Sequence, residues 1–302
     1  IWKTKPLDPH EHENERDPVT GRKTTGHEWN GIKELDTPIP RVVLFFLTVT
    51  TLFAIVYWIL MPAWPLGVSY TKGLLGIDQR TVVTQQVEDA AAARAAWTGR
   101  IAEASLAEIA ADDTLMQHVR ETGRTLFIDN CAACHGTRGT GGPGFPNLAA
   151  KAWLWGGEPE TIAETIRIGI NSTNEETRVS QMMAFGRDGV LDDKQIRAVA
   201  AYVRSLSNLP MGEDDKARIE AGKEVFTANC VACHGEDARG STDAGAPDLT
   251  DAAWIYGNDA QSVFTTIYSG RQGHMPHWED RLSPVDIKLL ALYVGTLGEK
   301  AP

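Results

Sequence analysis

The sequence predicts a mainly α-helical protein in which one transmembrane helix is followed by two tandem small helical domains. Three observations predict this arrangement. Residues 42–61 form a run of 20 residues without a charge, and the sequence after residue 116 repeats itself once. Each copy of the repeat also carries the same short motif, CAACH at 131–135 and CVACH at 230–234.

The uncharged run, VVLFFLTVTTLFAIVYWILM, predicts a transmembrane helix within residues 39–62. At about 1.5 Å per residue, 20 helical residues span about 30 Å, which is the thickness of the hydrocarbon core of a bilayer. Tyr57, Trp58 and Trp64 lie near its C-terminal end, as expected for aromatic side chains at a membrane interface. Pro62 then ends the helix. We therefore expect this helix to lie in lipid.

The segments that flank the predicted span differ in composition. Residues 1–38 are polar and rich in turn-forming residues, which predicts an extended N-terminal segment. Residues 63–115 are predicted to be a helical linker, because residues 81–112 are rich in alanine and glutamate. Within about 20 residues of the span, positive residues are more frequent before it than after it: Arg22, Lys23, Lys33 and Arg41 precede it, and Lys72 and Arg80 follow it. The positive-inside rule therefore predicts a cytoplasmic N-terminus and a periplasmic linker.

The net charge bears on the partners of the protein. The formal net charge is -11 at pH 7. Nucleic-acid binding needs a basic surface, so this composition argues against a nucleic-acid partner. An acidic surface is compatible with a basic protein partner that is steered by opposite charge.

The motif Cys-x-x-Cys-His is typical of covalent haem c attachment. Its two thiols add to the haem vinyl groups, and the histidine that follows becomes an iron ligand. Zinc sites with two Cys-x-x-Cys pairs usually have the pairs about 15–20 residues apart. The two pairs in this sequence begin at Cys131 and Cys230, which is too far apart for such a site. Neither zinc nor a redox-active cysteine pair explains the histidine. The sequence thus predicts two covalently bound haem c groups, held by Cys131, Cys134 and His135 and by Cys230, Cys233 and His234.

The repeat predicts where the two domains begin and end. GRTLFIDNCAACHG (123–136) aligns with GKEVFTANCVACHG (222–235), and AVAAYVRSL (198–206) aligns with LLALYVGTL (289–297). Each copy has a helix that ends in the haem motif, then a loop, a methionine loop and a closing helix. This order resembles a class I cytochrome c fold. We predict cytochrome c domains at residues 116–209 and 210–302.

The resemblance to class I cytochromes c implies further haem contacts. In that class the carbonyl of a proline in a Pro-x-Leu stretch orients the ligand histidine, and the matching residues are Pro146 and Pro247. The sixth iron ligand is a methionine from a Met-Pro segment, which Met275-Pro276 matches directly. Met182-Met183-Ala184-Phe185-Gly186 resembles Met-Pro-Ala-Phe-Gly with methionine in place of proline. We expect Met182 to serve the first haem and Met275 the second.

Alternatives remain for the sixth ligands. Met183 is the alternative to Met182, and His274 and His277 flank Met275 and are alternatives to it. His118 precedes the first motif and is interpreted as a surface residue. With His/Met ligation both axial positions are filled, which raises the potential and favours electron transfer over catalysis at these haems.

The chain resembles the dihaem subunit of cbb3-type cytochrome c oxidase, the FixP/CcoP family. Residues 17–41, DPVTGRKTTGHEWNGIKELDTPIPR, resemble the segment before the membrane helix of that family. The layout of one helix and two cytochrome c domains is also similar. Met183 departs from the pattern, since proline is usual there.

The resemblance implies a function and a set of partners. Electrons would come from a cytochrome c donor and pass through a monohaem cytochrome c subunit to a catalytic haem-copper subunit, which reduces oxygen and pumps protons. The chain would have no catalytic site of its own and would lie in the bacterial inner membrane, in contact with lipid. Two alternatives stay open. One is an electron-transfer subunit of another membrane-bound dehydrogenase or reductase, and the other is a dihaem peroxidase.

Overall fold

The computed structural model describes residues 16–298, and the chain divides into two compact units between Ala91 and Ala92. Residues 1–15 of the predicted N-terminal segment lie outside the described residues. Among those described, α-helix dominates, with two short strands near the N-terminus.

The N-terminal segment contains a β-hairpin rather than extended chain alone. Strands β1 (Thr24–Trp29) and β2 (Ile32–Leu35) pair antiparallel. The turn between them consists of Asn30 and Gly31, whose φ angles are 49° and 85°. Positive φ at both turn residues is the requirement of a tight hairpin turn, and Asn-Gly satisfies it well. The extended segment expected from the sequence is therefore partly ordered by local turn chemistry.

Helix α1 (Arg41–Leu60) matches the predicted span closely. It is long and apolar enough to cross a membrane, and none of that stretch is buried against protein. Backbone N–H groups of Leu74 and Leu75 donate to the carbonyls of Ile59 and Leu60 at the end of α1. These bonds satisfy carbonyls that a helix C-terminus leaves without an intrahelical partner.

The remaining α-helices follow α1 in chain order, and α2 begins in the first unit and ends in the second. They are α2 (Gln79–Glu103), α3 (Leu106–Ala111), α4 (Asp113–Asn130), α5 (Ala132–His135), α6 (Pro159–Ile168), α7 (Asp193–Leu206), α8 (Glu213–Lys216), α9 (Ile219–Asn229), α10 (Val231–His234), α11 (Ala260–Ser269) and α12 (Pro284–Thr296). Three of them begin with capping boxes that reinforce their start: Ser105 with Glu108 at α3, Asp192 with Gln195 at α7, and Ser283 with Asp286 at α12.

The helices around the haem motifs form two cores, and each core combines both copies of the repeat. In the first module, α4 and α6 of the first copy pack with α12 of the second copy, around Phe127, Ile166 and Leu290. In the second module, α9 and α11 of the second copy pack with α7 of the first copy, around Phe226 and Ile267. Residues 116–209 and 210–302, predicted as the two cytochrome c domains, therefore each give their closing helix to the core around the other copy's motif helix.

Glycine allows the paired helices to approach closely. A Cβ on Gly123 of α4 would lie 2.7 Å from Cβ of Tyr293 in α12. A Cβ on Gly222 of α9 would lie 2.1 Å from the carbonyl oxygen of Ala198 in α7. The two glycines occupy equivalent positions in the repeat, so the same close crossing is built twice.

Candidate haem sites

The two motif histidines are held in the same way. Nδ1 of His135 lies 3.1 Å from the carbonyl oxygen of Pro146, and Nδ1 of His234 lies 3.2 Å from that of Pro247. A carbonyl accepts only from a protonated Nδ1, so these contacts fix the tautomer and leave Nε2 for a metal. Burial lowers the pKa of both imidazoles, against a smaller opposing effect of the proline carbonyls. The neutral form that binds iron is therefore favoured.

The cysteines of each motif differ in exposure. Cys131 and Cys230 are half-buried, whereas Cys134 and Cys233 are exposed. Burial, with a smaller contribution from the neighbouring cysteine, raises the pKa of the Cys131 thiol to about 11, and that of Cys230 likewise to about 11. These two thiols stay protonated near neutral pH, and an S–H group can add across a vinyl double bond with its own proton.

Each methionine loop lies in the module of the other copy's haem motif, which is the reverse of the assignment expected from the sequence. Met275, expected at the second haem, packs in the first module, in the cluster that contains Cys131. Met182, expected at the first haem, packs in the second module, with Cys230. The physical reason is that each methionine loop leads directly into a closing helix, α12 or α7, and that helix packs on the other copy's motif helix.

Short backbone pairings fix this exchange. Ile170 and Met275 bond to each other through both backbone N–H groups, each 2.9 Å from the partner carbonyl oxygen. Met182 and Arg271 pair in the same way, at 2.8 and 3.0 Å. Each pairing joins the second residue after a short helix, α6 or α11, to the methionine of the other copy. The chain therefore crosses between modules twice, at equivalent points.

The second module contains a buried side-chain N–H group, that of Trp254, without a hydrogen-bond acceptor among the described residues. Nε1 of Trp254 is buried and has no hydrogen-bond partner within residues 16–298. Such groups are rare in native proteins, and an absent ligand commonly explains them. A haem carries carboxylate acceptors, so the orphaned indole N–H fits a haem in this module. Together with the histidine tautomers and cysteine pairs, it shows that the residues present suit haem c.

The alternative ligands occupy other environments. Met183 is 53% exposed, while Met182 beside it faces the second core. His274 is exposed, and Nε2 of His277 lies 3.1 Å from a carboxylate oxygen of Asp280. His118 is half-buried and stacks on Trp97, with ring centroids 4.5 Å apart. Sequence reasoning interpreted His118 as a surface residue and did not anticipate this stack.

The fold and the two motif sites define a protein with two cytochrome c domains behind a candidate membrane helix. Residues 120–207 match the family described as cytochrome c, and residues 217–294 match the family described as cytochrome C oxidase, cbb3-type, subunit III. Residues 21–68 match the family described as the N-terminal domain of cytochrome oxidase-cbb3, FixP.

Similar proteins cover nearly the whole chain. A cbb3-type cytochrome c oxidase subunit FixP from Bradyrhizobium sp. (strain ORS 278) is 48% identical over 287 residues, which is 94% of this chain and 98% of the relative. Subunits CcoP from Azospirillum brasilense and Cereibacter sphaeroides are 44% and 46% identical, over 95% and 91% of this chain and 98% and 94% of their own lengths. The chain belongs to the FixP/CcoP family of cbb3-type oxidase subunits.

Proposed function

We propose that this chain is the membrane-anchored dihaem electron-transfer subunit of a cbb3-type oxidase. Electrons from a cytochrome c donor would pass through it, and then through a monohaem cytochrome c subunit, to the haem-copper subunit that reduces oxygen to water and pumps protons. The observation that carries the proposal is the pair of equivalent sites, each with a Cys-x-x-Cys-His motif whose histidine is already oriented by a proline carbonyl. Haem c supplies one-electron Fe(III)/Fe(II) chemistry when bound.

The packing supports exchanged axial ligands. His135 and Met275 would hold the iron of the first module, and His234 and Met182 that of the second. Cys131 and Cys134 would attach the first haem, and the second motif would attach the other. Both axial positions of each iron would then be filled by this chain, which supports electron transfer rather than substrate binding at iron.

The chain's own residues do three things in this function. The motif helices hold the cofactor, the proline carbonyls keep each histidine in the ligating tautomer, and the apolar cores exclude water from the iron ligands. Exclusion of water and a thioether ligand both raise the reduction potential of a haem. We infer no separate catalytic site in this subunit.

Membrane anchoring and partners follow from the N-terminal part. α1 would span the inner membrane with the N-terminus in the cytoplasm and the haem modules in the periplasm. The charge bias around the span and the two haem motifs after it support this topology. The catalytic subunit would pack on α1, and the hairpin β1–β2 would stay on the cytoplasmic side.

The proposal is tested by purifying the chain from detergent-solubilised membranes. We expect two covalent haems per chain, together with a copper-containing haem b protein that consumes oxygen when reduced cytochrome c is supplied. A variant with Cys131→Ala and Cys134→Ala is the control and should carry one covalent haem. Isolation of the chain alone, or with a flavin or quinone enzyme and no copper, would show that the oxidase assignment is wrong.

The peroxidase alternative makes a different spectroscopic prediction. It needs one haem with an open or displaceable sixth position, whereas each module here contains a half-buried methionine. Quantifying the weak far-red band of methionine-ligated ferric haem, per haem, separates the two functions. A band intensity that corresponds to two methionine-ligated haems per chain supports the electron carrier. An intensity that corresponds to one such haem would support the peroxidase.

A further inference from the structure

Two arginine side chains stack on aromatic rings in the second unit. The guanidinium carbon of Arg178 lies 5.0 Å from the ring centroid of Trp155. That of Arg271 lies 4.2 Å from the ring centroid of Tyr256. Both arginines are half-buried. Stacking of this kind positions a guanidinium while leaving its in-plane N–H groups available for an anion.

The two arginines have the same kinds of neighbours, although they do not occupy matching positions in the repeat. Nε of Arg178 donates to the hydroxyl of Thr165 at 2.9 Å, and Nε and Nη2 of Arg271 donate to that of Thr266 at 3.1 and 2.8 Å. The threonines occupy matching repeat positions, as do the aromatic residues. Arg271, however, directly follows the glycine after α11, whereas Arg178 lies farther along the longer loop after α6. Each module thus obtains a guanidinium in the same place from a different sequence position.

Among residues 16–298, neither guanidinium has a carboxylate partner. In the described part of the chain, neither Arg178 nor Arg271 forms an ion pair, whereas Arg167 nearby pairs with three glutamates, Glu164, Glu176 and Glu279. The charge of Arg178 helps to lower the pKa of Glu164, but that carboxylate hydrogen-bonds to Arg167. Arginines that are fully buried are almost always paired with an anion, so each of these half-buried sites would be incomplete without one once a ligand covers it.

The incomplete sites lie where the two modules meet. The N–H of Gly144, in the loop after the first motif, donates to the carbonyl of Ile255 at 2.8 Å. A Cβ on Gly245, in the loop after the second motif, would lie 2.4 Å from the ring of Trp155. Trp254, with its orphaned buried N–H, immediately precedes Ile255 in the same short segment. The two guanidinium groups and the unsatisfied indole N–H of Trp254 therefore lie on this side of the cores.

We propose that Arg178 and Arg271 each bind a propionate carboxylate of haem c, one arginine in each module. The proposal rests on the proposed function, because it requires two bound haems. A haem carries its propionates on the edge opposite the vinyl groups that the cysteines capture, and a guanidinium pairs with a carboxylate through two parallel hydrogen bonds. A fixed positive charge beside a haem favours Fe(II), so these arginines keep both potentials high.

The test uses the full chain with both haems attached. Arg178→Gln and Arg271→Gln are each expected to lower the midpoint potential of one haem, a different one in each variant, and to shift the propionate bending band in the resonance Raman spectrum. Arg→Lys at the same positions retains the charge, so most of the potential should return while the band stays shifted. Arg197→Gln is the matched control, since Arg197 also stacks on a ring, that of Phe264, but is exposed.

The outcomes separate this proposal from the function on which it rests. Unchanged potentials and propionate bands in variants that carry two haems would show that the arginines do not bind propionate. Fewer than two covalent haems in the wild-type chain would overturn the proposed function instead. If a glutamine variant fails to fold, the lysine variant decides, because an unshifted band there also contradicts the proposal.

Discussion

Ile170 and Met275 exchange two backbone hydrogen bonds of 2.9 Å, although they belong to different copies of the repeat. The matching pair, Met182 and Arg271, does the same at the equivalent point. Gly169 and Gly270 precede these crossings with φ of 70° and 68°, and a Cβ on either would lie within 2.5 Å of a methionine carbonyl oxygen. The exchange of methionine loops is thus built into the backbone.

The first prediction concerns which methionine serves which haem. In a chain whose first motif is disabled by Cys131→Ala and Cys134→Ala, only the second haem remains. We expect Met182→Leu to abolish the far-red band of that haem, because Met182 packs in the second core. Met275→Leu should leave the band in place. The measurement is the ferric absorbance spectrum of the purified variants.

A matched control and a contrary outcome complete this test. Met183→Leu replaces the neighbouring exposed methionine and should leave the far-red band unchanged. Loss of the band with Met275→Leu, and its retention with Met182→Leu, would restore the unexchanged ligand set expected from the sequence. The same pair of substitutions, made with the second motif disabled, should give the reverse result.

The sequence was sufficient to locate the apolar helix α1, the repeat and the two Cys-x-x-Cys-His motifs, because each can be read directly from the order of the residues. It could not assign the closing helices. AVAAYVRSL of α7 and LLALYVGTL of α12 offer nearly the same apolar face, and both motif helices offer a glycine at the crossing point. Local propensity does not distinguish the two pairings, since the choice depends on long-range contacts near Ile170 and Arg271.

Two smaller features were also missed in the sequence. The hairpin at 24–35 had a readable signal in Asn30-Gly31, the dipeptide best suited to a two-residue turn. The propionate arginines had no such signal. Arg178 and Arg271 sit at different repeat positions, so aligning the two copies does not bring them together.

The second prediction uses two helical glycines with opposite surroundings. Gly222→Ala should destabilise the protein by about 2 kcal/mol or more, because its Cβ would overlap the backbone carbonyl of Ala198. Gly99→Ala, in α2, should stabilise it by about 0.5–1 kcal/mol, because that Cβ meets nothing within 4 Å and alanine favours helix. Thermal unfolding of the haem-loaded variants measures both. Equal effects of the two substitutions would contradict the close approach of α7 and α9.

The third prediction concerns Lys288, which binds the C-terminal end of α2. Its ammonium donates to the carbonyl oxygens of Ile101, Ala102 and Ala104, at 3.0, 2.9 and 2.7 Å. A cation at a helix C-terminus satisfies carbonyls without intrahelical partners and opposes the helix dipole. Lys288→Met should therefore cost about 1.5–3 kcal/mol of unfolding free energy.

The control for Lys288 is an exposed lysine with a single surface ion pair. Lys216 bonds to Glu213 three residues earlier, and Lys216→Met should change the unfolding free energy by less than about 1 kcal/mol. Denaturant titration of both variants provides the comparison, and hydrogen exchange of α2 amides reports whether its last turn opens. Unaltered exchange there in Lys288→Met would show that the three bonds do not hold the helix end.

The fourth prediction concerns acid sensitivity at the Arg167 cluster. Hydrogen bonding and charge from Arg167 lower the pKa of Glu164 below its usual 4.5. A carboxylate with a depressed folded pKa stabilises the protein above the unfolded value, and this contribution is lost as pH falls through the folded value. Glu164→Gln should therefore reduce the free energy of unfolding above about pH 4.5 by less than about 1 kcal/mol, since the ion pair is partly exposed, and this difference should vanish at lower pH.

Thermal midpoints between pH 3 and pH 7 measure this difference. Glu160→Gln, which removes an exposed carboxylate on the same helix, is the control. A destabilisation by Glu164→Gln that persists undiminished at pH 3 would mean that packing, rather than the charge, accounts for its effect.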